Sequence, residues 1–345
     1  MKDKELTRRE FMRVAGTTAA GLALLSHPWE EAAAAQAGRK QIVIHTERQI
    51  TSLGYHNRRE TEHVSMVDAG LVGQNPVTLE RVPVLAEALP SIKKGSWKID
   101  HQKKTMVTVY KLRPGLKWHD GKPYTSKDFE FGWQIARHPD FPMPDRLVPE
   151  LISKIETPDD RTIVIHWSDL YSEAYAIQYT HVRAFPRHLL QDAFNAGDMK
   201  AFANHPFWNK NFVGAGPYRV VEWDAGNRME LEAFKDFALG RPKIDRMTVR
   251  VVNDSNTNLA AVLAGEVDLC MRSIISFDGA MILRNGWEKE GKGKVLISPA
   301  SWTWLSLSRD NPWFSDVRGR RALLVAIDRE AMGQNMFSGE GLVSH

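Results

Sequence analysis

The segment from Tyr110 to Phe129, YKLRPGLKWHDGKPYTSKDF, carries the clearest structural signals of the chain. Its first residues end an apolar, β-rich segment, Lys104 to Leu112, which predicts a strand stopped by the Pro114-Gly115 turn. Its last residues, Thr125 to Asp128, predict the capped start of a helix, because threonine faces the first amides and aspartate is favoured in the first turn. The stretch therefore predicts a strand, a compact turn region and a helix in direct succession.

Strands and helices alternate on both sides of this stretch. The segments that predict strands are Gln41 to Thr46, Thr162 to Trp167, and a hairpin from Pro217 to Glu232 around Asp224-Ala225-Gly226-Asn227. The segments that predict helices are Asn256 to Ala264, stopped by Gly265, and a longer one that starts at Asp316 and passes through Ala331. This order indicates a mixed α/β protein.

Four segments, in this order, resemble the family 5 solute-binding proteins, the peptide- and nickel-binding components of bacterial ABC importers. The first is the stretch from Tyr110 to Phe129. The others are Val213 to Trp223 with Gly240 to Asp245, then Ala260 to Leu269, and finally Asn311 to Arg318 with Arg321 to Glu330. The resemblance covers most of the chain after its N-terminal signal.

The resemblance implies an α/β, two-lobed periplasmic binding protein fold of type II with an extra subdomain, closing on its ligand like a hinge. It assigns residues 38–61 and 196–272 to lobe I, residues 62–195 to the extra subdomain, and residues 273–345 to the start of lobe II. Because the family runs to roughly 500 residues or more, far beyond His345, the second lobe is expected to be incomplete and the chain truncated. The missing part carries most ligand-selecting residues of the family.

The resemblance also places two regions of this chain at the ligand cleft. Arg59 and Thr61 follow the first strand, near positions that meet ligand in relatives, although the usual Leu-Asp-Pro is replaced by Leu-Gly-Tyr. Trp302 and Trp304 share one face of the strand that opens lobe II. That face looks either into the cleft or into the core. These four residues are the ligand-binding candidates.

No catalytic, metal or cofactor site is predicted. His119 and Asp120 are adjacent, but neighbouring residues on a strand or tight turn usually point apart, and no nucleophile accompanies them. The histidines lack a ligand spacing, and the sequence contains no nucleotide-binding loop or nucleophile elbow. Gly115, Gly121 and Gly216 are instead expected to supply turn dihedrals that other residues resist.

The N-terminus predicts export through the twin-arginine translocase. Arg8, Arg9 and Phe11 precede a weakly apolar run, and small residues up to Ala37 offer a cleavage site, so residues 1–37 read as a signal peptide. The alternative is a chance arginine pair in an amphipathic helix, which the glycines and threonines of the run disfavour. The mature protein is expected to be soluble and periplasmic.

The amino-acid composition excludes further classes of function. A single cysteine, Cys270, excludes an internal disulfide, and the net charge of +4 is dispersed, without a basic tract for nucleic acid. The expected function is capture of an oligopeptide or similar polar solute and its delivery to an ABC permease in the inner membrane. An exported cofactor-binding enzyme and a chaperone-like polypeptide binder are the alternatives.

Overall fold

A computed structural model describes residues 40–47, 49–54, 61–75, 78–178, 180–271, 274–297 and 306–340, without the side chains of residues 61 and 62. The chain divides into two compact units, with the boundary between Ile275 and Ser276.

The first unit contains all the strands of the described ranges. They are β1 (Gln41–Thr46), β2 (Val72–Gln74), β3 (Arg81–Pro83), β4 (Trp97–Asp100), β5 (Thr105–Lys111), β6 (Ile152–Asp159), β7 (Thr162–Trp167), β8 (Tyr218–Asp224), β9 (Arg228–Ala233), β10 (Arg246–Val251) and β11 (Leu269–Cys270). Its α-helices are α1 (Thr61–Val67), α2 (Ser126–Arg137), α3 (Leu147–Leu151), α4 (Arg187–Asn195), α5 (Met199–Ala203) and α6 (Ser255–Ala264).

The main sheet has five strands in the order β11-β1-β10-β9-β8. Strand β1 runs parallel to β10 and to β11, whereas β10, β9 and β8 pair antiparallel. The predicted first strand and the predicted hairpin are both confirmed, and Met229 and Leu231 point into the core as their alternation indicated. Residues far apart in sequence therefore build one sheet, because β1 finds its partners in residues 246–251 and 269–270.

A separate four-stranded antiparallel sheet, in the order β4-β5-β7-β6, lies in the middle of the sequence. The strands predicted before Pro114 and at residues 162–167 are its two central members. Helix α2 belongs to both hydrophobic cores of this unit. Its Phe129 packs into the core of the four-stranded sheet, and its Phe131 and Ile135 pack into the core of the main sheet.

The stretch from Tyr110 to Phe129 folds largely as its sequence indicates. Gly115 and Gly121 have φ of 70° and 86°, a left-handed region that favours glycine. At the start of α2 the N–H and the hydroxyl of Thr125 both donate to the carboxylate of Asp128, at 2.8 and 3.0 Å. The hydroxyl of Thr125 therefore bonds to the carboxylate of Asp128, and the two residues together cap the start of α2.

Gly216 is needed for a different reason from the predicted one. Its φ is not in the left-handed region, but a Cβ at this position would lie 2.3 Å from the amide nitrogen of Asp68. Gly214 is similarly close, with its Cβ position 2.0 Å from the carbonyl oxygen of Val67. Both glycines therefore serve the close approach of this loop to the end of α1, which only the tertiary structure reveals.

The second unit is helical in its described part, with α7 (Phe277–Asn285), α8 (Pro312–Ser315), α9 (Val317–Ala326) and α10 (Arg329–Phe337). The single helix expected from Asp316 through Ala331 is wrong. Ile327 is extended, and the side chain of Asp328 accepts the N–H of Ala331 at 2.8 Å, so a new helix starts there. None of the helices in the described part of the chain is long and apolar enough to cross a bilayer.

Candidate functional site

The carboxyl ends of the parallel strands β1, β10 and β11 meet at one edge of the main sheet. The helices that follow two of them lie on opposite faces of the sheet. Helix α1, after β1, shares the core with Ile44, whereas α6, after β10, contacts His45, whose side chain points the other way. Neighbouring parallel strands whose helices leave in opposite directions form a topological switch point, where α/β sheets bind their ligands. This edge is the candidate functional site.

The backbone keeps this edge in register to the last residues of the strands. The N–H of Val252 donates to the carbonyl of Thr46 at 2.8 Å, and the N–H of Met271 donates to the carbonyl of His45 at 2.9 Å. The carboxylate of Asp254 then caps α6 by accepting the N–H of Thr257 at 2.7 Å. The edge therefore has a fixed backbone from which loops can present ligand contacts.

A buried polar pair fastens β1 to α6 beside this edge. The Nδ1 atom of His45 lies 2.9 Å from the Oδ1 atom of Asn258, and the two side chains are 5% and 0% exposed. The amide nitrogen of Asn258 donates to the carbonyls of Val252 and Asp254, each at 2.9 Å, and to that of Ile274 at 3.4 Å. Because the amide group faces carbonyls on that side, Oδ1 is the acceptor and the proton of His45 sits on Nδ1.

Cys270 lies beside His45, since the two residues are register partners on β11 and β1. Burial raises the pKa of the Cys270 thiol to about 11, so the thiol stays protonated at neutral pH. A protonated thiol is a poor nucleophile and a poor metal ligand. Throughout the described ranges, no group of three or more His, Cys, Asp or Glu side chains is arranged to hold a metal ion.

The chain that leaves β1 is held in place as it passes the edge. The indole N–H of Trp223 donates to the carbonyl of Ile50 at 3.1 Å, and the N–H of Leu53 donates to the carbonyl of Trp208 at 2.8 Å. Ile50 and Leu53 are buried, with exposures of 2% and 0%. Residues 49–54 are thus fixed up to the point where the predicted ligand contacts begin.

The predicted ligand-binding residues fall almost entirely outside the described residues. Arg59, Trp302 and Trp304 lie in segments that the structure does not describe, as do the export residues Arg8, Arg9 and Phe11. Thr61 is the first residue of α1, but its side chain is not described. Each of these residues stays a prediction.

His119 and Asp120 have separate partners. Gly214 N–H donates to Nδ1 of His119 at 3.3 Å, so Nε2 carries the proton and donates to the carbonyl of Gly216 at 3.1 Å. Asp120 instead lies 2.6 Å from Nε2 of His188. His119 joins the first family segment to the second, and its role here is structural.

Burial lowers the pKa of His119 to about 4, against a smaller opposing effect of the bond to Gly216. The ring is therefore neutral at physiological pH. A neutral ring is what the contact requires, since protonation would place a second N–H against the N–H of Gly214.

A buried ion pair supports the same junction. Arg183 and Asp68 are 3% and 4% exposed, and the Nε–H of the arginine donates to the carboxylate. The other carboxylate oxygen accepts the N–H of Ala215 at 3.2 Å. The guanidinium lies over the rings of Phe185 and Phe212, at 5.2 and 5.3 Å from their centroids. Full burial makes this pair structural, because no solute reaches it.

No pattern in the sequence singled out His45 or the pair of Asp68 with Arg183. One signal was present for Asn258, a polar residue one turn before Val262 on the apolar side of a predicted helix. His45 lies inside a β-rich strand, where the sequence does not tell which face meets a helix.

Sequence comparison identifies the family of this chain. Residues 80–345 match the bacterial extracellular solute-binding proteins, family 5 Middle. The oligopeptide-binding protein AppA of Bacillus subtilis is 25% identical over 236 residues, which are 68% of this chain and 41% of that protein. The chain thus spans less than half the length of this curated relative.

Solved structures share the fold. NikZ from Campylobacter jejuni, in complex with Ni(L-His), matches with a TM-score of 0.69 at 21% identity, over 89% of this chain and 57% of NikZ. AppA from Bacillus subtilis, in complex with a nonapeptide, matches with a TM-score of 0.65 at 22% identity, over 88% of this chain and 57% of AppA. These neighbours are two-lobed periplasmic binding proteins, and the chain covers part of their mixed α/β fold. The chain belongs to the bacterial extracellular solute-binding proteins of family 5.

Proposed function

We propose that the protein carrying this chain is the solute-binding component of an ABC importer. It captures an oligopeptide or a similar polar solute and delivers it to a permease in the inner membrane. The observation that carries the proposal is the family membership of residues 80–345. The relatives support it, since one is called an oligopeptide-binding protein and its solved structure contains a nonapeptide.

The candidate site gives this proposal a location. The switch point between β1 and β10 is where a sheet of this topology binds ligands. We assign residues 38–61 and 196–272 to lobe I, residues 62–195 to the extra subdomain and residues 273–345 to lobe II. Arg59, Thr61, Trp302 and Trp304 are the residues that we propose to contact the solute. The protein works by binding, without a catalytic residue.

The test is native mass spectrometry of the protein purified from its own cell envelope. A co-purified peptide or polar solute that is released on denaturation is the expected result. Replacing Trp302 and Trp304 with alanine should weaken its binding, whereas alanine at Trp313, which is 80% exposed, should not. An empty protein that binds no member of a mixed peptide library would contradict the proposal. If the affinity is unchanged and the melting temperature falls strongly, the two tryptophans belong to the core and do not contact the solute.

Export is proposed to use the twin-arginine route, followed by release as a soluble periplasmic protein. Arg8 and Arg9 are the residues that the translocase would read, with Phe11 two positions further on. Lysine at both positions keeps the charge but loses the guanidinium geometry, so export should stop. Normal arrival of this variant in the periplasm would contradict the assignment.

A further inference from the structure

A polar cavity lies on the first unit, away from the elements that form the edge of the main sheet. It has a volume of about 270 Å³ and opens between α2, the start of α4 and β6. Apart from Phe131, its lining consists of polar side chains, namely Lys127, Glu130, Gln134, Thr157, Arg187 and Gln191. We call it the α2–α4 cavity.

The walls of the α2–α4 cavity are fixed by the residues behind them. The side-chain carboxylate of Asp128 accepts the backbone N–H of Arg187 at 3.0 Å. The backbone carbonyl of Asp128 accepts the N–H of Phe185 at 3.2 Å. Asp128 is 4% exposed, so these bonds are shielded from water. The first turns of α2 and α4 are thereby held together, and the lining side chains project from a rigid support.

The lining of the cavity includes an arginine that forms no ion pair with a described carboxylate. The Nε–H of Arg187 donates to the amide oxygen of Gln191 at 3.0 Å, which orients the guanidinium and leaves both terminal nitrogens for another acceptor. None of the ion pairs in the described part of the chain involves this residue. Lys127 adds a second positive charge, since its contact with Asp160 is long, at 3.5 Å, and exposed. An oriented guanidinium is suited to a planar carboxylate.

A carboxylate of the protein lines the same cavity. One oxygen of Glu130 accepts the hydroxyl of Thr157 at 3.2 Å, and the other accepts no hydrogen bond from the part of the protein that the structure describes. A simple anion would be repelled by this group, and a simple cation would be repelled by Arg187 and Lys127. A ligand that carries both charges satisfies both sides.

We propose that the α2–α4 cavity binds a small zwitterion of the α-amino acid type. Its carboxylate lies against Arg187 and Lys127, and its ammonium group lies against Glu130. This binding does not require the solute site at the main sheet.

Isothermal titration calorimetry with L-alanine and its two half-molecules tests the proposal. Propionate lacks the ammonium group and ethylammonium lacks the carboxylate, so each should bind at least about tenfold more weakly than L-alanine, the effect of losing one charge-assisted hydrogen bond. Equal affinity for propionate and L-alanine would overturn the proposal and leave a plain anion site. Absence of saturable L-alanine binding would also overturn it.

Variants separate this cavity from any other amino acid site on the protein. Arg187→Gln should weaken L-alanine binding by about tenfold or more, and Glu130→Gln should remove the preference for L-alanine over propionate. Lys98→Gln, at an exposed position of β4, is the matched control and should change neither affinity. If Arg187→Gln does not fold, Arg187→Lys is the second variant. It keeps the positive charge but loses the planar guanidinium with its paired N–H donors, so it should still weaken binding. L-alanine affinity that is the same in all variants would overturn the proposal.

Discussion

At the scale of single residues, Asn258 connects a strand, a helix and a loop of the first unit. It is fully buried and binds His45 of β1 as well as carbonyls from the end of β10 to Ile274. A buried amide with all its bonds made fixes one arrangement of the groups around it, because each broken bond leaves an unpaired polar atom.

We expect Asn258→Leu, similar in size, to destabilise the protein by about 2–3 kcal/mol, because His45 and the carbonyls lose their partner. Asn256→Leu, at an exposed position of the same helix, should change stability by less than about 0.5 kcal/mol. Urea unfolding of the two variants measures the difference. Equal stabilities would show that water replaces the amide without cost.

His119 gives a prediction of pH dependence with a definite sign. Its pKa is about 4 in the folded protein and about 6.5 in an unfolded chain. The unfolded chain therefore takes up a proton that the folded one refuses, so stability is full above pH 6.5 and falls as the pH drops towards 4. Between pH 7.5 and pH 5 this residue should account for a loss of about 2 kcal/mol.

The measurement compares the parent with His119→Asn by urea unfolding across that range. The variant should be less stable at pH 7.5, because a buried bond and packing are lost, and its deficit should shrink by about 2 kcal/mol at pH 5. His101→Asn, at an exposed turn position, is the control and should follow the parent. A deficit that is independent of pH would mean that His119 titrates normally.

At the scale of elements, helix α2 holds the two sheets of the first unit together. Gly132, in the middle of the helix, lets α2 pack closely against the backbone at Arg183. A Cβ on this residue would lie only 1.7 Å from the carbonyl oxygen of Arg183. The chain at Arg183 also carries the ion pair with Asp68, so the contact brings α2 against a fixed backbone.

Gly132→Ala should therefore destabilise the protein by about 3 kcal/mol or more, although alanine is the better helix former by about 1 kcal/mol. Gln134→Ala, on the exposed side of the same helix, should have almost no effect. Thermal unfolding followed by circular dichroism distinguishes the two. A stabilised Gly132→Ala protein would show that helix propensity decides at this position and that the close approach is relaxed.

At the scale of the whole molecule, the two units differ in how much they bury. The first has two hydrophobic cores, whereas none of the described residues from 306 to 340 in the second is buried. Val325 is 85% exposed and Leu324 is 56% exposed. Stability that rests on buried apolar area should accordingly be concentrated before residue 275.

We expect limited proteolysis of the chain to cut first between residues 306 and 340, leaving a resistant fragment that contains both sheets. Few buried contacts oppose local opening in the helical segment, and proteases act on locally opened chain. Mass spectrometry of a digestion time course identifies the first cuts. Early cleavage inside the four-stranded sheet, with α9 and α10 intact, would contradict the expectation.

Local patterns in the sequence were enough to predict five of the eleven strands in the described part of the chain, namely β1, β5, β7, β8 and β9, and several helix starts. The turn at Pro114-Gly115, the hairpin around Asp224–Asn227 and the stop at Gly265 depend on residues next to each other, so their causes are visible in the sequence. The order of four such segments was also enough to indicate the family. The break at Ile327 escaped prediction because the apolar spacing continues across it, while Asp328 starts a new helix.

The contacts between distant segments became visible only in the folded chain. Strand β1 pairs with residues 246–251 and 269–270, and the Gly214-to-Gly216 loop fits against the end of α1. His45 becomes a partner of Asn258, and Arg187 comes to share a cavity with Glu130, although more than 50 residues separate each pair in the sequence. Local propensity determines elements because it acts between neighbours along the chain. Burial and close packing determine the sites, because they act between surfaces that the sequence alone does not bring together.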